Sequence, residues 1–177
     1  MVIRMSYRLL YPLRTYLITS GDYGSEYNVM TADWVIPLSA KPFILGVSIA
    51  PRRYTHTLIS KYGEFVVSVP SIKILDDVWI AGSLSGPAKL KVLKLTFSKA
   101  VVVKAPIINE ALANLECRVI DRRDYGDHTL FVGEVVHTHS KSEAYVDNEP
   151  KIDAGFLAHI AWNRFITFSS EELKPRT

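Results

Sequence analysis

FILGVSIAPRRYTHTLISKYGEFVVSVP, residues 43–70, sets a strand, a helix and a second strand end to end. Phe43 to Ala50 is an apolar run of strand length that can be buried on both faces, and Pro51 ends it. Thr55 to Tyr62 reads as a short helix, because Leu58, Ile59 and Tyr62 fall on one face and Gly63 supplies a C-terminal stop. Glu64 to Pro70 then alternates into another strand. Where the helix begins stand Arg52, Arg53, Thr55 and Thr57. A helix start offers unpaired N–H groups and the positive end of a dipole, so cations and hydroxyls there suit an anion.

Working outward, strand signals dominate. Leu13 to Ser20 and Val29 to Val35 make a hairpin around the turn residues Gly21 to Ser25, and Lys41-Pro42 marks another turn. Ser71 caps a second helix through about Ala81, with Ile74, Leu75, Val78 and Trp79 as its apolar stripe. Gly82 to Gly86 reads as a loop and Lys89 to Lys94 as a short third helix. Thr96 to Val103 and Ala113 to Asp121 are strand-like, and Phe131 to His137 pairs back across the turn Asp124 to Asp127. Ala144 to Val146 and Phe165 to Phe168 are short closing strands, and the polar tail Ser169 to Thr177 is expected to fray. The pattern predicts a mainly β fold, a barrel with a small helical cap, rather than a doubly wound α/β sheet. No glycine-rich dinucleotide fingerprint or Walker-type lysine loop is present.

A length of 177 residues suits one domain, 1–177, with its core at about 10–168. The net charge of +3 is too small to point to nucleic acid, and the basic residues are scattered rather than striped. A lone cysteine, Cys117, excludes an internal disulfide and any cysteine metal cluster. No apolar run is long enough to span a bilayer, and the N-terminus is too short and charged for a signal-peptide core, so a cytoplasmic location is expected. Either Met1 or Met5 serves as the start.

Three further segments carry chemistry. Asn28-Val29-Met30-Thr31-Ala32-Asp33-Trp34 is a strand edge of small residues, which lets the backbone approach a flat ligand; alone it is equally an ordinary hairpin strand. Because Arg52 and Arg53 are adjacent, one of the two faces a ligand, and alone they are equally a solvated pair before a helix. Lys89 follows the loop Ser83 to Ala88 and reaches back toward a phosphate, or is simply solvated. His128 sits in Gly126-Asp127-His128, either lining a ligand or bonded to Asp127. His137 and His139 share a strand face but lack a third ligand at matching spacing, and they read as surface residues; no metal is expected. His159 carries no signal, and Cys117 reads as a buried, inert thiol.

Together and in this order, three segments resemble the flavin reductase-like proteins. Asn28 to Trp34 looks like the family's flavin-contacting loop. Arg53-Tyr54-Thr55-His56-Thr57 through Val69 looks like its phosphate turn, helix and strand. Gly126-Asp127-His128 with Gly133-Glu134-Val135 looks like its later hairpin. The resemblance spans about Leu10 to Ser140 and implies an FMN-binding split β-barrel, Greek-key-like, that forms a homodimer. It implies hydride transfer from NADH or NADPH to flavin, then onward to free flavin, a ferric complex or a partner oxygenase, the FMN being either tightly bound or a substrate. Asn28, Met30, Thr31, Ala32, Ser48 and Ala50 would line the ring and ribityl chain, with Val29 and Ile49 in the same segments. Arg53, Thr55, Thr57 and Lys89 would hold the phosphate, with Tyr54 among them, and His128 would face the open side of the flavin as the catalytic candidate. The family often has an acidic residue before the lysine, where Ala88 stands here. An FMN-binding electron carrier without its own nicotinamide site is the alternative.

Overall fold

The computed structural model describes residues 6–168; the expected frayed tail and the choice between Met1 and Met5 lie outside the described residues. The strands are β1 (Leu13–Arg14), β2 (Tyr16–Gly21), β3 (Tyr27–Ala32), β4 (Val35–Ala40), β5 (Phe43–Ile49), β6 (Glu64–Val69), β7 (Phe97–Ser98), β8 (Ile107–Ile108), β9 (Ala113–Tyr125), β10 (His128–Ser140), β11 (Tyr145–Val146), β12 (Glu149–Pro150), β13 (Leu157–Ala161) and β14 (Arg164–Thr167). Two helices, α1 (Tyr54–Tyr62) and α2 (Leu75–Ser83), follow β5 and β6.

Seven strands form one antiparallel sheet in the order β3-β2-β6-β9-β10-β5-β4. The two edge strands, β3 and β4, are consecutive in sequence and joined only by Asp33 and Trp34. Two residues span a few ångströms, so the sheet must roll until its edges meet, leaving a barrel split along that seam. The interior cluster reflects this closure: Ala32 and Ile18 from one side pack with Val47, Leu45 and Phe131 from the other. Ile59 of α1 joins the same cluster, so the helix covers one end of the barrel. On the outside, Val78 and Ala81 of α2 pack on Leu17 and Val29. A small second sheet, β1-β13-β14, lies beyond β2.

Two glycines make this geometry possible. Gly63 ends α1 with φ of 67° and donates its N–H to the Ile59 carbonyl at 2.8 Å. At Gly133 a Cβ would stand 2.7 Å from the Phe65 ring, so only glycine lets that ring fill the interior.

Several expectations change. Thr96 to Val103 is not a strand beyond β7. The Val101, Val102 and Val103 N–H groups bond to the Glu116 carboxylate at 2.9, 2.7 and 3.1 Å instead of to a neighbouring strand. Burial pushes the Glu116 carboxyl up, but these donors and His139 outweigh it and hold it below the usual value. Lys89 to Lys94 gives way to a tight helical turn at Pro87–Lys91, starting earlier because Pro87 is suited to a first helical position. β9 and β10 run longer than expected, leaving only Gly126 and Asp127 between them. β4, β8, β12 and β13 were not anticipated. Cys117 is buried, and burial pushes its thiol well above the ordinary range.

Candidate functional site

Helix α1 begins at Arg53 without any side-chain cap, so its first N–H groups face outward unsatisfied by the chain's own side chains. They open onto a narrow notch lined by Asn28, Arg53, Tyr54, Thr55, Gly86 and Lys89. Lys89 is only 3% exposed. Its Nζ donates to the carbonyls of Ala81 at 2.8 Å and Leu84 at 3.0 Å, at the carboxyl end of α2. No carboxylate among the described residues pairs with it. Burial, together with the nearby Arg53 guanidinium, lowers its pKa to about 8. Two cations thus converge on a helix N-terminus without an anion.

Asn28, 1% exposed, donates from Nδ2 to Thr55 Oγ1 at 2.9 Å. Its Oδ1 is buried with no partner. A buried acceptor left unmade costs about 1–3 kcal/mol, which a ligand hydroxyl would relieve. The free space in the notch is only about 10 Å³. An entering phosphate must therefore draw the Lys89 ammonium off its carbonyls or shift the loop Leu84 to Gly86.

The notch runs into a wider cleft of about 330 Å³. Met30, Thr31 and Arg53 line both spaces, and Ala32, Trp34, Ser48, Ile49, Ala50 and His128 line the cleft. The backbone approaches closely here because small residues meet. Thr31 Oγ1 donates to the Val78 carbonyl at 2.5 Å, and a Cβ on Gly82 would lie 3.1 Å from Thr31. His128 Nδ1 lies 2.6 Å from Asp127 Oδ1, and its ring sits 4.6 Å from Trp34. That contact holds the Asp127 carboxyl below its usual value.

The structure therefore brings eleven of the expected residues and His128 to one continuous recess. Val29 and Thr57 are placed elsewhere: Val29 is fully buried in the α2 core, and Thr57 is on the exposed face of α1. Tyr54 contributes to the notch, while its hydroxyl bonds Glu26 at 3.2 Å. Of the arginine pair, Arg53 reaches both spaces and Arg52 only the cleft.

Sequence reasoning missed a polar group in the wall of the cleft, which Tyr11 and Asp33 line. Asp33 accepts from Tyr11 Oη and Thr15 Oγ1, each at 3.1 Å, and lies 2.7 Å from His159 Nδ1. Burial, and then the Asp33 charge, push the Tyr11 phenol up to about 12, so it stays a neutral donor. Only the tertiary fold joins Tyr11, Asp33 and His159, which are far apart in the chain. A larger cavity of about 410 Å³, between Tyr16, Phe43, Leu45, Leu115 and Tyr145, holds none of the expected site residues.

The site's chemistry fits FMN: a cationic, helix-capped notch for a phosphate beside a flat cleft with an unpaired buried acceptor. Comparison with known proteins agrees. An uncharacterized protein of Pyrococcus abyssi is 56% identical over 165 residues, covering 93% of this chain and 95% of the relative. A ferric-chelate reductase (NAD(P)H) of Archaeoglobus fulgidus is 26% identical, covering 82% and 85%. Among solved structures, an FMN-binding protein from Thermus thermophilus with bound 1-cyclohex-2-enone superposes with a TM-score of 0.88 at 26% identity, over 99% of this chain and 97% of that one. Flavoredoxin from Methanosarcina acetivorans gives 0.84 at 25% identity, over 98% and 95%. The family model for the flavin reductase like domain matches residues 7–154, and the chain is a split-barrel member of the flavin reductase-like family.

Proposed function

We propose that this chain is an FMN-dependent oxidoreductase. It takes a hydride from NADH or NADPH and passes electrons to an acceptor such as free flavin, a ferric complex or a partner oxygenase. The observation that carries the reading is the junction of notch and cleft, where Lys89 and Arg53 lie without an anion beside the unpaired Asn28 Oδ1. FMN supplies the two-electron redox chemistry when bound. Arg53, Thr55, Lys89 and the α1 N–H groups hold the phosphate. Asn28, Met30, Thr31, Ala32, Ser48, Ile49 and Ala50 line the ribityl chain and ring, and the tightness of the backbone around Thr31 excludes water from one face. His128, braced between Asp127 and Trp34, borders the opposite side and orients the incoming nicotinamide.

The proposal includes one domain over about residues 10–168, a cytoplasmic location and a homodimer, for which Ile36 and Leu38, on one face of the edge strand β4, offer an exposed apolar pair. No helix among the described residues is long and apolar enough to cross a membrane. The purified protein is expected to bind one FMN per chain and to be bleached rapidly by NADH or NADPH in anaerobic stopped flow. A protein that ignores added FMN sinks the cofactor assignment. FMN that is bound but reduced only by dithionite supports the second reading, an electron carrier, which the likeness to flavoredoxin favours.

A further inference from the structure

At the far end of β10 from His128, three side chains meet across two strands. The strand pairing sets His137 directly opposite Glu116 of β9, and a bulge between Val135 and His137 fixes that register. His139, two residues on, points to the same face because strand side chains alternate. Its Nε2 lies 2.7 Å from Glu116 Oε1, and the two imidazole rings are 4.6 Å apart. One ligand atom from each of the three lies within 4.8 Å of the others. Among the described residues, no other group of three histidine, cysteine or acidic side chains gathers in this way.

The environment is built to hold a carboxylate in place. Glu116 is 0% exposed, and three successive backbone N–H groups, Val101 to Val103, clamp it in one orientation. The fourth donor is His139, the one partner that is a side chain able to exchange a proton for a cation. Neighbouring ligand atoms around a Zn²⁺ ion, each about 2.0–2.2 Å from it, lie roughly 3–3.5 Å apart. Replacing the shared proton by the ion therefore asks for a small opening of the His139–Glu116 contact and a rotation of His137. Both histidines are partly exposed, which gives the ion an entry path and leaves solvent to complete its coordination.

We propose that Glu116, His137 and His139 form a divalent transition-metal site of the zinc type, separate from the cofactor recess. Two imidazoles and a carboxylate with an open fourth position suit Zn²⁺ rather than a hard, all-oxygen cation such as Mg²⁺ or Ca²⁺. His128 and His137 are nine residues apart on one strand, about 30 Å. The ion therefore fastens β9, β10 and the 101–103 loop together and takes no part in hydride transfer. The site escaped the sequence because its third ligand comes from strand register rather than spacing.

The test is calorimetric titration of ZnCl2 into the full chain, freed of metal by chelation, with and without FMN. Wild-type protein is expected to take up one Zn²⁺ per chain and to melt several degrees higher with it. His137→Ala is the deciding variant, since His137 makes no hydrogen bond to Glu116 and its loss leaves the carboxylate clamp intact. It is expected to weaken Zn²⁺ at least about tenfold, to abolish the thermal shift, and to leave FMN binding unchanged. His139→Ala is expected to weaken Zn²⁺ similarly. Substoichiometric uptake overturns the proposal. So does uptake that His137→Ala leaves unchanged, or that falls only when His56, His128 or His159 is replaced.

Discussion

Lys89 and Glu116 are both buried charges, and the fold satisfies them in opposite ways. Glu116 receives four donors on its two oxygens and is fixed in the charged form. Lys89 has two carbonyl partners, no anion, and a second cation beside it. A buried charge is tolerable only when paired and hydrogen-bonded. The clamped carboxylate therefore marks a structural joint, and on the reading proposed above the half-answered ammonium is where the FMN phosphate binds. The two should respond differently to mutation: one in stability, the other in affinity.

The largest effect is expected at the joint. Glu116→Ala leaves three backbone N–H groups without their acceptor, that of Val103 fully buried, and at about 1–3 kcal/mol for each buried donor left unpaired the loss comes to about 3–5 kcal/mol. Urea denaturation reads this as a lower midpoint with an unchanged slope. A midpoint that hardly moves would mean that the 101–103 loop is not held by this carboxylate. At the notch, Lys89→Met is expected to weaken FMN by about 10- to 100-fold, the worth of a charge-assisted hydrogen bond to phosphate. Its stability should change far less, because the lost bonds to the Ala81 and Leu84 carbonyls are offset by removal of the ammonium's burial penalty. Equal affinity for FMN and for riboflavin in wild-type protein would remove the phosphate role altogether.

The same lysine sets a pH window. Its folded pKa of about 8 lies below the unfolded value of 10.5. Between those values the unfolded chain binds more protons, so the ligand-free protein gains stability as pH rises, and the burial penalty is fully present below about 8. Phosphate binding runs the other way. It needs the dianion, present above about pH 6, and the Lys89 cation, lost above about 8. Affinity for FMN should therefore peak between these and fall on the alkaline side, and Lys89→Met should flatten the alkaline limb. A limb that persists in the variant would assign it to another group.

This contrast also explains what the sequence reveals. Residues 43–70 were legible because strand, Pro51, helix stripe and Gly63 are all local signals. β4 escaped because it is a largely exposed edge strand carrying Pro37, whose pairing depends on β5. Val101 to Val103 look like a strand by composition, yet a carboxylate thirteen to fifteen residues away takes their N–H groups. At the site, Asn28, Thr31, Arg53 and Thr55 could be named from motifs. The Asp33 group with Tyr11 and His159 could not, since the last of these is 126 residues away. Nor does the sequence distinguish Thr55 from Thr57; the helical turn buries one and exposes the other. Thr55→Val removes the partner of Asn28 Nδ2 and should weaken FMN by about 1–2 kcal/mol, whereas Thr57→Val should stay within about 0.5 kcal/mol. Fluorescence titration of FMN compares them directly, and equal losses would break the assignment of the notch.

A smaller effect than at the notch is expected at the mouth of the cleft, where His128 stands between the two regimes. It is partly buried, but its hydrogen-bond partner Asp127 is exposed, so water competes for the contact. The Trp34 ring, 4.6 Å away, packs against it as well, a contact for which water does not compete in this way. A residue held in this way can orient a nicotinamide, but it is poorly fixed for moving a proton in the transition state. His128→Gln should accordingly slow flavin reduction only about two- to fivefold, mostly through weaker NADH or NADPH binding. Asp127→Asn should do less still, because Trp34 remains. Transient kinetics over a range of NADH concentrations separates the two contributions. A drop of about 10² or more in the limiting rate is the scale of general acid–base catalysis. It would move His128 from an orienting group to one that transfers a proton.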